Sequence, residues 1–268
     1  MAASTGPAEA GTSDKTTLRA RIRAQRRARR RAEREAGTGR RAESEGIARA
    51  VLDHLDRCPQ ARDAGWGSSS ATVAVFRSTP SEPDTTALIE GLHDRGVRVL
   101  VPRTLDDLSL DWHELLAPAG DLRDGRRQGE APAGDHHDAS TDESPSAASP
   151  SEDADPARPS GEDSSAELPS DEDAGDEGPS LGLDAVADIT AMILPGLAVD
   201  HAGHRLGQGG GCYDRTVPRL RPGTCRAVLL FDEEILDAVP YGEHDQLVPA
   251  VVTPRRGWTA LTPAPPTP

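Results

Sequence analysis

Between Ala131 and Ser180 the chain carries 15 acidic residues against a single basic one, Arg158, and has no Val, Ile, Met, Phe, Tyr or Trp. Such a stretch cannot bury enough apolar surface to offset the entropy lost on ordering it, so disorder is expected there. Everything outside it is nearly neutral, with 30 acidic and 29 basic residues, so the chain's net charge of −15 belongs to this one segment. The remainder, roughly 200 residues, is enough for one domain with one core. The organisation expected is a disordered N-terminus over 1–14 and a single α/β domain over 15–257. A disordered acidic insert at about 119–180 interrupts that domain, and a Pro-rich tail follows over 258–268.

Other classes are excluded on simple grounds. Cys58, Cys212 and Cys225 form no spaced framework and the first residues lack the apolar core of a secretion signal, so a cytoplasmic protein is expected. The longest apolar run, Ala191 to Val199, is interrupted by Pro195 and Gly196. It falls far short of the ~20 residues that span a bilayer.

Lys15 to about Leu55 is rich in helix formers, with Ile47, Val51, Leu52 and Leu55 at helical spacing and Gly37-Thr38-Gly39 as an interruption, which reads as two helices. Of the 30 basic residues, 12 fall between Lys15 and Arg41. That density suits nucleic-acid binding or a solvated arginine-rich face, and the scarcity of aromatics for base stacking favours the second. Ala71 to Phe76 has strand composition, Thr85 to Asp94 reads as a helix with Asp84 as its cap, and Val97 to Val101 reads as a strand ended by Pro102. Strand, helix, strand is a βαβ unit, hence a parallel pair with a right-handed crossover. Leu108 to Trp112, Ile189 to Leu194, Cys225 to Phe231 and Val248 to Thr253 are further strand candidates. The expected class is α/β, an open, mainly parallel sheet flanked by helices, with the acidic insert as a surface loop joining two halves of it.

The segment Pro195 to Arg215 reads PGLAVDHAGHRLGQGGGCYDR. Gly207, Gly209, Gly210 and Gly211 lie between a buried strand and a helix. Without Cβ atoms they let backbone N–H groups approach an anion, and a helix N-terminus adds partial positive charge. Arg205 supplies a permanent cation and Asp214 a ligand for Mg²⁺, so the set suggests a nucleotide polyphosphate. A tight turn packed against a helix is the plain alternative. The pattern is neither a Walker A loop nor the dinucleotide fingerprint.

These residues resemble the 5-formyltetrahydrofolate cyclo-ligase (methenyltetrahydrofolate synthetase) family. Its hallmark is a Pro-Gly-Leu-Ala-Phe-Asp run followed by Gly-x-Arg-Leu-Gly-x-Gly-x-Gly-Tyr-Tyr-Asp-Arg. Pro195 to Asp200 and Gly203 to Arg215 match it, with Val199 and Cys212 where the family has aromatics. Lys15 to Arg19 resembles its Lys-x-x-Leu-Arg, Phe76 to Thr85 its Glu-containing folate loop, and Pro240 to Asp245 its His-Asp segment.

The resemblance implies a fold of the sugar-phosphate isomerase and CoA-transferase type. It also implies ATP-dependent conversion of 5-formyltetrahydrofolate to 5,10-methenyltetrahydrofolate. ATP-binding positions would be Lys15, Thr16, Thr17, Leu18, Arg19, Arg205, Leu206, Gly207, Gln208, Gly209, Gly210, Gly211, Cys212 and Tyr213. Arg205 and Tyr213 would be catalytic, Arg77 and Glu82 would contact the folate, and Asp214 and Asp245 would hold Mg²⁺. The partners expected are 5-formyltetrahydrofolate and ATP, with neither membrane nor nucleic acid, and the chain is expected to be a monomer. Two other functions compete. One is a sugar-phosphate isomerase or acyl-transferase relative that uses no ATP; the other is a nucleotide- or RNA-binding module gripping its ligand through the arginine-rich helix.

Overall fold

The computed structural model describes residues 7–116 and 176–262, with side chains from Asp14 onward. Most of the acidic insert, residues 1–6 of the expected disordered N-terminus and residues 263–268 of the expected Pro-rich tail lie outside the described residues.

Five parallel strands form the centre of an eight-stranded sheet: β1 (Thr72–Val75), β2 (Arg98–Thr104), β5 (Ala191–Pro195), β8 (Cys225–Leu229) and β10 (Ala250–Thr253). Three more strands are β3 (Leu110–Leu115), β4 (Glu177–Ser180) and β11 (Gly257–Ala260). The order is β11-β10-β8-β5-β1-β2-β3-β4, with β3, β4 and β11 antiparallel to their neighbours. The sheet is therefore open and mainly parallel, as its short apolar runs imply. Alternate residues feed two cores. Val73, Val99, Ile193, Ala227 and Val252 face one side, where α2 (Arg41–Arg57) contributes Ile47, Val51 and Leu55, and α4 (Thr86–His93) contributes Leu88, Ile89 and Leu92. Ala74, Leu100, Met192, Leu194 and Val228 face the other, against Trp112, Val186, Ile189 and Val217. Both faces are covered, as a parallel sheet requires.

Several expected boundaries move. Helix α1 (Pro7–Ala36) starts inside the stretch expected to be disordered. Strands β4 and β11 take residues assigned to the insert and to the tail. Both lie at sheet edges, where pairing is made by backbone groups and needs little apolar side chain, so composition does not reveal it. Strand β2 runs through Pro102 instead of ending there. Its pairing with β1 stops at Leu100, so Pro102 faces only β3 and its missing N–H interrupts no ladder between two strands. Asp84 accepts from the N–H of Thr86 at 2.9 Å, as a cap would, but Thr85 occupies the boundary position of α4.

A separate three-stranded sheet, which sequence periodicity does not announce, has the order β7-β6-β9 from β6 (Ala198–Asp200), β7 (Arg205–Leu206) and β9 (Ile235–Leu236). Helix α1 packs on it by burying Ile22 among Leu197, Ala198, Leu206 and Val239. Fully burying such a side chain contributes about 1.5–3 kcal/mol. A buried ion pair fixes the docking: Arg26 donates to Glu234 at 2.6 and 2.8 Å and to the carbonyl of Gly196 at 2.7 Å. Among the described residues, no helix is long and apolar enough to cross a membrane.

Candidate active site

The β6–β7 hairpin aims the glycine-rich loop. Asp200 holds its turn, accepting from the N–H groups of Ala202 and His204 at 3.0 and 2.9 Å and pairing with the His204 ring at 2.8 Å. Gly203 adopts φ +92°, and a Cβ there would stand 2.5 Å from the carbonyl oxygen of Val248, so only glycine fits. Past the hairpin, Gly207 to Gly211 leads into α5 (Cys212–Thr216), with Gly211 left-handed at φ +67° as its N-cap. Helix α5 has only five residues. Its dipole is short, so charge neutralisation at the loop falls to side chains, in contrast to the weight the sequence reading gave the helix end.

Those side chains come from α1, far away in sequence. Arg19 Nε donates to the carbonyl of Gly207 at 2.9 Å, and one turn later Arg23 Nη2 donates to the carbonyl of Gln208 at 2.9 Å and to its side-chain oxygen at 3.0 Å. One turn earlier, Lys15 Nζ meets Asp245 Oδ2 at 2.5 Å. Lys15, Arg19 and Arg23 thus form one stripe at i, i+4 spacing over the loop. Leu18 points partly into the core beneath α1, while Thr16 and Thr17 are exposed.

Arg205 lies below the loop, its side chain 4% exposed. It donates to the carbonyl of Pro195 at 3.2 Å and to Asp214 Oδ1 at 3.0 Å, while its Nε–H is buried with no hydrogen-bond partner among the described residues. A Cβ at Gly207 would approach Arg205 Nη1 to 2.9 Å, so this glycine keeps the backbone against the guanidinium. The Tyr213 ring centroid is 5.9 Å from the guanidinium carbon. Burial, reinforced by the Glu82 carboxylate, pushes the Tyr213 phenol up, so it remains a hydrogen-bond donor at neutral pH. Cys212 is half-buried against the second core, and burial likewise raises its thiol.

The expected metal ligands fit Mg²⁺ by their donor arrangement. Asp214 accepts from Arg205 and from the N–H of Gln246 at 3.1 Å, both through Oδ1. Asp245 accepts from Lys15 and from the N–H of Gly242 at 2.8 Å, both through Oδ2. Each carboxylate keeps one oxygen with no partner among the described residues. Nucleotide-bound Mg²⁺ takes one or two carboxylates and fills its octahedron with water and phosphate oxygens.

Glu82 is brought to the same place from the loop after β1. Its Oε2 accepts from the N–H and hydroxyl of Thr79 at 2.9 and 3.1 Å, and Oε1 lies 3.5 Å from Gln208 Nε2. A largely buried carboxylate with one oxygen engaged and the other beside the glycine loop can receive a donor-rich ring. Arg77 turns to the sheet edge, 3.4 Å from Glu177 of β4. Sequence reading assigned no role to Arg23, to Asp200, or to the Arg26–Glu234 pair. Asp200 was within the matched motif and could have been found. The arginines could not, since nothing local distinguishes them from their neighbours on α1.

The model of the 5-formyltetrahydrofolate cyclo-ligase family matches residues 11–144 and 171–254. The 5-formyltetrahydrofolate cyclo-ligase of Mycolicibacterium smegmatis is 28% identical over 211 residues, 74% of this chain and 82% of that protein. The Escherichia coli K12 protein of the same name is 38% identical over 71 residues, 26% of this chain and 39% of that one. The solved structure of Aquifex aeolicus 5,10-methenyltetrahydrofolate synthetase superposes with a TM-score of 0.51 at 16% identity, covering 95% of each chain, and so shares the fold. With the family match spanning both sides of the acidic insert, the chain belongs to the 5-formyltetrahydrofolate cyclo-ligase family.

Proposed function

We propose that the chain converts 5-formyltetrahydrofolate and ATP to 5,10-methenyltetrahydrofolate, ADP and phosphate, with Mg²⁺ on the nucleotide. The observation that carries this reading is the buried Arg205 Nε–H, which lacks a partner beneath the glycine loop. Such a group costs about 1–3 kcal/mol when left unpaired, and a phosphate oxygen would satisfy it.

The chemistry needs ATP because a formamide oxygen is a poor leaving group. Once that oxygen is phosphorylated, nitrogen 10 of the folate attacks the formyl carbon, the ring closes, and phosphate departs. The protein's part is alignment and charge neutralisation. Lys15 and Arg19 offset the nucleotide phosphates, and Thr16, Thr17 and Leu18 complete the turn of α1 that carries them. Backbone N–H groups of Gly207, Gly209 and Gly211 donate to phosphate oxygens, with Leu206, Gln208, Gly210 and Cys212 shaping the loop around them. Arg205 follows the charge as it moves to the transferred phosphoryl group, the situation in which fixed donors lower a barrier most. Tyr213 donates near the formyl group, Glu82 accepts from the pterin N–H groups, and Arg77 lies at the outer edge of the folate side. Asp214 and Asp245 would hold Mg²⁺, which neutralises and aligns the phosphates.

All these groups come from one chain, so a monomer suffices, and three free cysteines fit a reducing compartment, the cytoplasm. An RNA-binding role would require the arginines of α1 to be available. Arg26, Arg29 and Arg31 are instead paired with Glu234, with Glu33, Glu43 and Glu233, and with Glu35. Purified protein mixed with 5-formyltetrahydrofolate, ATP and Mg²⁺ should generate the ultraviolet absorbance of the methenyl product. The signal should need ATP and vanish in Asp214→Ala. A folded protein that binds ATP but makes no product under any Mg²⁺ concentration would overturn the proposal.

A further inference from the structure

At the opposite end of the sheet from the glycine loop, His54, Cys58 and Cys225 place one ring nitrogen and two sulfurs within 4.8 Å of one another. The residues come from three places. His54 lies in the last turn of α2, Cys58 caps both α2 and α3 (Pro59–Asp63), and Cys225 opens β8. His54 and Cys58 are one helical turn apart, which stacks them on one face. Cys225 is at the N-terminal end of its strand, whereas the hairpin that carries the glycine loop follows the C-terminal end of β5. The cluster is therefore separate from the phosphate site.

We propose that His54, Cys58 and Cys225 bind one Zn²⁺, which clamps α2 to the central sheet. The two sulfurs are 3.0 Å apart and both thiols are free. Tetrahedral zinc, with Zn–S near 2.3 Å and Zn–N near 2.0–2.1 Å, sets its sulfurs about 3.8 Å apart. Loading the site thus asks the sulfurs to separate by less than ~1 Å, within reach of a cysteine side-chain rotation. Two thiolates and an imidazole select zinc over the oxygen-seeking Mg²⁺ of the nucleotide. Each thiol gives up its proton as its Zn–S bond forms, so one Zn²⁺ releases two protons.

The surroundings supply what such a site needs beyond its ligands. The His54 ring lies flat on Trp258, with centroids 3.8 Å apart and planes 5° apart, which fixes the orientation of the imidazole. A cavity of about 570 Å³, lined by His54, Cys58, Gln60, Cys225 and Trp258, reaches the cluster and gives an entry path and room for a fourth ligand. Gln60 Oε1 accepts a hydrogen bond at 3.2 Å from the Cys58 thiol, whose proton zinc binding would release.

The test uses the full chain, fully reduced, stripped of metal and titrated with Co²⁺ and then Zn²⁺. One equivalent of Co²⁺ should produce thiolate-to-cobalt absorption with visible bands of tetrahedral intensity, and Zn²⁺ should bleach both stoichiometrically. Cys225→Ser and His54→Ala should each weaken binding at least tenfold. The unaltered protein should melt at a higher temperature with Zn²⁺ than without, so the proposal does not depend on the variants folding. Absence of the thiolate band in the unaltered protein would overturn it. So would a folded Cys58→Ser/Cys225→Ser protein that binds equally well, or a protein that ignores Zn²⁺ and instead loses two hydrogens in mass on mild oxidation, which would mark a disulfide pair. Cyclo-ligase activity is not a readout here, so failure leaves the proposed function standing.

Discussion

Arg205 donates to Pro195 and Asp214 and has no partner for its Nε–H among the described residues, so in the proposed reaction its guanidinium would do what a point charge cannot. Arg205→Lys keeps the charge but cannot span both partners and a phosphate oxygen together. Its kcat should fall roughly 10²- to 10³-fold, the range for losing a donor aimed at developing charge, in a protein whose thermal melt still shows a folded domain. In the proposed reaction Glu82 would act on the other substrate, the folate. In Glu82→Gln the carbonyl oxygen can still accept from Thr79, but the amide then turns N–H groups toward the N–H groups of the pterin. A charged hydrogen bond contributes about 1.5–3 kcal/mol, so KM for the folate should rise about ten- to hundredfold with KM for ATP unchanged. Steady-state kinetics with each substrate varied in turn checks this.

At the scale of elements, the site depends on how α1 sits on the small sheet, and the Arg26–Glu234 pair sets that seat. Burial pushes the Glu234 carboxyl above its ordinary value of 4.5, with Arg26 opposing. Arg26→Met removes the opposition and raises this pKa further. Breaking a buried pair from one side costs about 3–5 kcal/mol, measurable by urea unfolding at pH 7. The sign with pH follows. The carboxyl of the variant has a higher pKa folded than unfolded, so its penalty is full above the folded pKa. The penalty shrinks as pH drops and is gone below the unfolded value, where the group is neutral in both states. The gap between variant and parent should therefore narrow toward pH 4.5. A gap independent of pH would mean that Arg26 acts by packing alone.

For the whole molecule, the decisive fact is that the ends of the acidic insert meet. The N–H of Leu116 donates to the carbonyl of Asp176 at 2.8 Å, continuing the antiparallel β3–β4 pair. Replacing residues 117–175 with a short glycine-containing hairpin turn should therefore leave the sheet and the cyclo-ligase rate within about twofold of the parent. On loop-closure entropy alone it should stabilise the fold by about 2 kcal/mol. Thermal melts and the methenyl absorbance assay test both halves of this expectation. A collapse of activity would give the insert a part in catalysis.

Much of this architecture is written locally. The central strands announce themselves as short apolar runs because both faces are buried, α1 and α2 by composition and spacing, and the glycine loop by four glycines within the five residues Gly207 to Gly211. Strands β4 and β11 and the small sheet are not legible that way, since edge and short strands are made by backbone pairing and not by side-chain pattern. Nor are the partners of Lys15, Arg19, Arg23 and Arg26, which lie far along the chain at Asp245, Gly207, Gln208 and Glu234. The same holds for Cys58 and Cys225, unremarkable in sequence and 3.0 Å apart in space. Periodicity and motif record what neighbouring residues need, whereas which distant groups meet is decided by packing α1 and α2 against the two sheets.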